Sequence, residues 1–117
     1  MDRTIFKTYE FALVICRNFD GRWLAVNETK NRGWWIPGGA VDLGESFVQA
    51  AHRETLEEAG IEINIKGILR VEHSVMGPAD ARMRVTFFAE PKDQQQVPKQ
   101  KPDHESLEAR WVTVEDL

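Results

Sequence analysis

The 23 residues from Gly39 to Ile61 read GAVDLGESFVQAAHRETLEEAGI, and the fold turns on them. Ser46 has the character of a helix N-cap, and Phe47 to Ala59 reads as a helix. Gly60 fits the left-handed residue that stops one. Projected at about 100° per residue with Arg53 at zero, Glu57 falls near 40°, Glu54 near 100° and Glu58 near 140°. Val48, Thr55, Leu56 and Ala59 fall between about 200° and 300°, with His52 near 260°. The projection therefore predicts an amphipathic helix with three carboxylates on one side, and an apolar side where His52 is packed or half-buried.

The charge of the whole chain is concentrated here. Its 117 residues hold 15 Lys+Arg and 19 Asp+Glu, a net of -4. Between Gly39 and Ile61 stand Asp42, Glu45, Glu54, Glu57 and Glu58 against Arg53 alone, so the remainder holds 14 acids and 14 bases. A solvated helix face is the plain reading of such a run. It accounts poorly for Glu54 and Glu58, which repel at i, i+4, and for acids near a helix C-terminus, where the macrodipole disfavours them. Only Arg53 is placed to compensate. Crowded hard oxygen donors are what a divalent cation neutralises. With no thiolate or His pair in the set, Mg²⁺ or Mn²⁺ is expected over Zn²⁺. Gly38 and Gly39 would let backbone approach a metal or phosphate closely.

Outward from this stretch, Glu10 to Arg17 is a nearly continuous apolar run that reads as a buried strand. A turn at Asp20-Gly21 leads to a second strand, Arg22 to Val26, and the pair suggests a hairpin. Trp34-Trp35-Ile36 runs into the breaker Pro37-Gly38-Gly39. Strand is expected from Glu62 to Val75 with a break near Gly67, and from Arg82 to Ala89, with a loop at 76–80 between them. Pro91 to Pro102 reads as an exposed loop with the composition of a mobile one. Ala109 to Val112 is a short strand. Thr113 to Leu117 starts like a helix, with Thr113 as cap, which predicts a C-terminal helix that this chain lacks. One α/β domain, 1–117, is expected.

Several classes are excluded or disfavoured. No apolar run approaches the roughly 18–20 residues of a membrane helix, and the first residues open no signal-peptide pattern. The single cysteine, Cys16, sits in an apolar run and reads as a buried structural thiol. Without an internal disulfide, a reducing cytoplasmic compartment is expected. A neutral remainder without a Lys/Arg block disfavours non-specific nucleic-acid binding.

Gly39, five residues, Glu45, seven residues, then Arg53-Glu54-Thr55-Leu56-Glu57-Glu58-Ala59-Gly60-Ile61 resembles the Nudix box, Gly-x5-Glu-x7-Arg-Glu-U-x-Glu-Glu-x-Gly-U, where U is bulky and aliphatic. Every charged and glycine position matches, and Thr55 at the first U is the one departure. Trp35 to Gly39 and Asp103 to Val112 also look like the family's flanking segments. The resemblance implies an α/β/α sandwich with a mixed sheet and a loop–helix–loop motif. It implies Mg²⁺-dependent hydrolysis of a phosphoanhydride in a nucleoside diphosphate linked to a moiety X. By position, Glu54, Glu57 and Glu58 would coordinate the cations, with the Gly39 carbonyl as a further ligand. Arg53 would orient its carboxylate neighbours, while Glu45 and Gly38 would support the loop. Glu105 and Glu54 are the candidates for the general base.

Substrate identity is less legible. Trp34 and Trp35 alternate sides in an extended segment, and core packing is the favoured reading of each, with stacking on a base as the alternative. Arg32, Arg82 and Arg84 are candidate phosphate contacts. Compact size and the late segment look most like the subgroup acting on nucleoside triphosphates, oxidised ones included. ADP-ribose or dinucleoside polyphosphates are the alternative substrates, and a silent nucleotide-binding module or a plain scaffold are the alternative classes. The expected partner is a nucleotide-type small molecule, and a homodimer is admitted.

Overall fold

The computed structural model describes residues 7–28, 33–101 and 108–116. Among the described residues seven strands and one α-helix follow in the order β1 (Lys7–Cys16), β2 (Trp23–Glu28), β3 (Gly33–Trp35), β4 (Gly38–Ala40), α1 (Phe47–Ala59), β5 (Ile63–Val75), β6 (Asp80–Pro91) and β7 (Glu108–Val112). A short 3-10 turn, Val114–Asp116, closes the described chain. There Thr113 Oγ1 and N–H both donate to Asp116 Oδ2, each at 2.9 Å.

The strands form two sheets, β4-β1-β6-β5 and β3-β2-β7. The first is mixed: β1 runs parallel to β6 and antiparallel to β4. β1 and β2 are therefore not the hairpin that the Asp20-Gly21 turn suggests. The turn forms, with Gly21 N–H donating to the Asn18 carbonyl at 3.1 Å, but pairing stops at one bridge, Arg17 to Trp23. The physical reason is competition: β4 and β6 occupy both edges of β1, so β2 diverges into the second sheet.

Strand alternation gives the larger sheet two distinct faces. Ala12, Val14 and Cys16 of β1 join Val85, Phe87 and Ala89 of β6 on one face, and there Ala50, Ala51 and Ala59 of α1 complete the core with Leu24 and Val26 of β2. The small residues on α1 let its axis lie close to the sheet. Phe11 and Leu13 occupy the opposite face, level with Arg84 and Thr86. Helix α1 spans the expected residues. Ser46 and Gln49 form a reciprocal capping box at its start, and Gly60 ends it at φ 69°.

β5 and β6 form a long hairpin, with register shifts between Ile65 and Gly67 and again between Ile68 and Arg70, near the expected break. The loop from Lys92 onward departs from its mobile composition because it is tied down. Gln96 Nε2 donates to the Glu62 carbonyl at 2.9 Å, Lys99 N–H donates to the Ala59 carbonyl at 2.7 Å, and Pro98 is buried. Among the described residues no helix is long and apolar enough to cross a membrane.

Candidate active site

Helix α1 turns Glu54 and Glu58 away from solvent and leaves Glu57 half-exposed. Its buried residues are Ala50, Ala51, Thr55, Glu58 and Ala59. This arc overlaps the acidic one, and the apolar side expected from the projection lies partly outside it, since Leu56 and Val48 are exposed. His52 is exposed too, in a polar cleft with Glu62, Asn64 and Lys92, and is not the packed histidine expected. The reason is β4. The glycines there leave room for carboxylates, so the helix turns its acids toward the sheet edge.

Both glycines are required by contacts. A Cβ on Gly38 would strike Leu13 and stand 2.6 Å from the Ala12 carbonyl oxygen. A Cβ on Gly39 would stand 2.7 Å from the Glu54 carboxyl carbon, so that carboxylate lies flush against backbone. Glu58 is 6% exposed and accepts the Gly38 N–H at 2.7 Å. Two carboxylates thus grip adjacent residues of one strand.

Arg53 organises the rest. Its Nε donates to Glu45 Oε2 at 2.8 Å and its Nη2 to Glu45 Oε1 at 2.9 Å, a bidentate fork. Nη2 also donates to the Ala40 carbonyl at 3.0 Å. Nη1 donates to Glu54 Oε1 at 2.9 Å and Glu57 Oε2 at 3.3 Å. The Arg53 fork, aided by the Asp42 N–H, holds the Glu45 carboxyl down to about 2. The same fork, helped by Glu54, pushes the guanidinium further toward its charged form. Thr55, the departure from the aliphatic pattern, is fully buried and donates its hydroxyl to the Ala51 carbonyl at 2.8 Å. The polar atom is satisfied within the helix and the methyl is left to pack.

Sequence reasoning missed Lys99. The projection named Arg53 as the only base placed to offset the acids, yet Lys99 Nζ donates to the Glu57 carbonyl at 3.2 Å, and the Lys99 backbone caps Ala59. A cation therefore does sit at the helix C-terminus, brought there from 42 residues away. No local signal in the sequence points to Lys99, because its place is set by where the loop packs.

The donor set is all carboxylate and backbone oxygen, which suits a hard divalent cation. Glu54 Oε1 and Glu57 Oε2 converge on one nitrogen of Arg53 beside the Gly39 backbone, so the residues fit such an ion. Among the described residues no three His, Cys, Asp or Glu side chains are already gathered around a cation position, and Arg53 lies between Glu45, Glu54 and Glu57.

Across β4 from the acids, Phe11, Leu13, Trp35, Gly38, Gly39, Arg82 and Arg84 line a cleft of about 240 Å³. Neither tryptophan joins the core. Trp35 is 59% exposed, and Trp34 lies under Arg110, whose guanidinium carbon is 4.3 Å from the ring centroid. Arg84 Nη2 donates to Glu72 at 3.0 Å, while its Nε is buried with no hydrogen-bond partner among the described residues. Arg32 and Glu105 lie outside the described residues. Cys16 is fully buried, as expected, and burial together with Glu90 pushes its thiol up to about 12.

Known proteins resemble the chain in sequence and in fold. A nucleoside triphosphate pyrophosphatase/Nudix hydrolase fusion protein of Bifidobacterium longum is 39% identical over 87 residues, 72% of this chain and 17% of that one. The 8-oxo-dGDP phosphatase of Homo sapiens is 36% identical over 91 residues, 75% of this chain and 27% of that one. The chain thus spans well under a third of the length of these two curated relatives. A Nudix hydrolase crystal structure from Nitrosomonas europaea superposes with a TM-score of 0.74 at 25% identity, covering 95% of this chain and 60% of that one. The NUDIX domain profile matches residues 9–117. With the glycine strand, the capped helix and the arginine-centred carboxylates all within the matched span, the chain belongs to the Nudix family.

Proposed function

We propose that the chain hydrolyses a phosphoanhydride in a nucleoside diphosphate-X substrate, with nucleoside triphosphates, oxidised ones included, as the favoured class. The observation that carries this reading is the Arg53-centred carboxylate cluster pressed against Gly38 and Gly39. The printed activity of the human relative, on 8-oxo-dGDP, supports the nucleotide class.

Glu54, Glu57 and Glu58, with the Gly39 carbonyl, would hold Mg²⁺, for which Mn²⁺ can substitute. The bound ion neutralises phosphate oxygens and acidifies water. The remaining work falls to the chain's own groups. Arg53 fixes Glu54 and Glu57 relative to each other, and Glu45 fixes Arg53 by its bidentate fork. Such prior positioning lowers the cost of bringing water and phosphorus into line. Water attacks phosphorus, the anhydride P–O bond breaks, and a carboxylate accepts the water's proton. Glu54, close against Gly39, is one candidate for that base and Glu105 is the other. The bare glycine strand admits the phosphate chain between the cleft and the acids.

Glu57→Gln and Glu58→Gln test this. Each keeps volume and one acceptor oxygen while removing charge, so Glu58→Gln retains an acceptor for the Gly38 N–H. Turnover of a nucleoside triphosphate in Mg²⁺ should fall more than about 100-fold, beyond the 10–100-fold typical of residues that only support a ligand. Circular dichroism should be unchanged. Wild-type kcat in either variant would sink the proposal.

A further inference from the structure

Lys99 stands half-buried where the loop after β6 crosses the end of α1. An α-helix leaves its last four carbonyls without intrahelical donors, and in α1 these belong to Leu56, Glu57, Glu58 and Ala59. Gly60 N–H donates to the Leu56 carbonyl at 2.9 Å and closes the left-handed cap. Lys99 supplies two further donors, its Nζ to the Glu57 carbonyl at 3.2 Å and its backbone N–H to the Ala59 carbonyl at 2.7 Å. Its own carbonyl accepts the Ala109 N–H at 2.7 Å. Ala109 lies in the core and pairs with Val26 of β2. One residue therefore ties the end of the acidic helix to the second sheet.

The loop that carries Lys99 is itself anchored. Gln96 Nε2 donates to the Glu62 carbonyl and Gln96 Oε1 accepts the Glu62 N–H, both at 2.9 Å, and Pro98 is buried. A lysine at a helix C-terminus often does no more than offset the macrodipole. Two observations argue for more here. The Nζ bond falls on Glu57, whose carboxylate Arg53 holds at 3.3 Å, so main chain and side chain of one acid are fixed from separate elements. The turn that Lys99 holds carries both Glu57 and Glu58, whereas Glu54 lies about one turn earlier.

We propose that Lys99 is a positioning residue for the cation site, holding the last turn of α1 so that Glu57 and Glu58 keep the placement a divalent ion requires. The proposal rests on the reading of the acids as that site and adds a residue to it from outside the Gly39–Ile61 stretch. Sign separates positioning from charge. A lysine acting only through its ammonium repels a nearby cation, so removing it should tighten metal binding. A lysine that positions carboxylates should weaken binding when it is removed. The coupling is reciprocal, so a bound cation must also strengthen the Lys99 bonds.

The test is Mn²⁺ binding without substrate, read as free Mn²⁺ by electron paramagnetic resonance. Lys99→Met keeps an unbranched stem and removes the ammonium, and its Kd for Mn²⁺ should rise roughly tenfold, the scale for residues that orient ligands. Gln96→Ala loosens the same loop at Glu62. It should lower the urea midpoint and leave the Mn²⁺ Kd within about twofold of wild type. In the wild type, Mg²⁺ should slow hydrogen exchange at the Lys99 amide. A Kd unchanged or lowered in Lys99→Met, a Kd raised equally by Gln96→Ala, or exchange at Lys99 unmoved by Mg²⁺ would each overturn the positioning role. Saturable Mn²⁺ binding absent from the wild type would instead defeat the reading of the acids, and this proposal with it.

Discussion

Arg53 and Arg84 stand on opposite sides of the same glycine strand and are in opposite states. Around Arg53 every nitrogen of the guanidinium has an acceptor, and two of these acceptors are themselves held, Glu45 by the Asp42 N–H and Glu54 by packing against Gly39. Around Arg84 one nitrogen is buried without a partner among the described residues, Glu72 is shared, and Arg82 stands beside it. The first region is finished before any ligand arrives, as positioning machinery should be. The second is left incomplete at a buried donor, a cost of about 1–3 kcal/mol that a protein carries where a ligand can relieve it.

That contrast can be broken from either side. The largest effect is expected from Arg53→Lys, which keeps the charge but loses the fork joining Glu45, Glu54 and Glu57. Steady-state kinetics should show kcat lower by about 10- to 100-fold with a smaller change in KM. An unchanged kcat would mean that the cluster does not need its centre. Arg84→Gln should act in the opposite sense, raising KM for a nucleotide roughly tenfold and leaving kcat within about twofold. A fall in kcat instead would place Arg84 with the acids.

The smallest effect is the response of stability to pH. Glu45 is held at about 2, below its ordinary 4.5, first by the Arg53 fork and then by the Asp42 N–H. Because the folded value lies below the unfolded one, its contribution is complete above pH 4.5 and is lost as pH falls toward 2. Urea midpoints taken across that window should fall less steeply for Glu45→Gln than for the wild type. Parallel curves would show that the fork does not persist in solution.

What could be read without coordinates follows the reach of each signal. The bounds of α1 were legible because Ser46 and Gly60 act on the nearest turn, and the strands from Ile63 to Pro91 because alternation is local. The hairpin of β1 and β2 was not, since Asp20-Gly21 dictates a turn but not which strand claims the edge beyond it. The carboxylate cluster was legible as a spacing on a helix. Its direction was not, because a projection fixes angles about an axis and not which way the axis is turned. Lys99 could not be found from the helix at all, as it arrives from another part of the chain.

The sequence by itself determined the capped helix, the grouping of Glu54, Glu57 and Glu58 with Arg53, and the concentration of the net charge in one device. All are consequences of the helical repeat and of short-range hydrogen bonding. Tertiary structure alone decided that the acids face inward onto Gly38 and Gly39, that Lys99 steadies the helix end, and that Phe11, Trp35, Arg82 and Arg84 share a cleft. Those outcomes depend on which surfaces meet, and burial is settled between elements distant in the chain, where spacing carries no information.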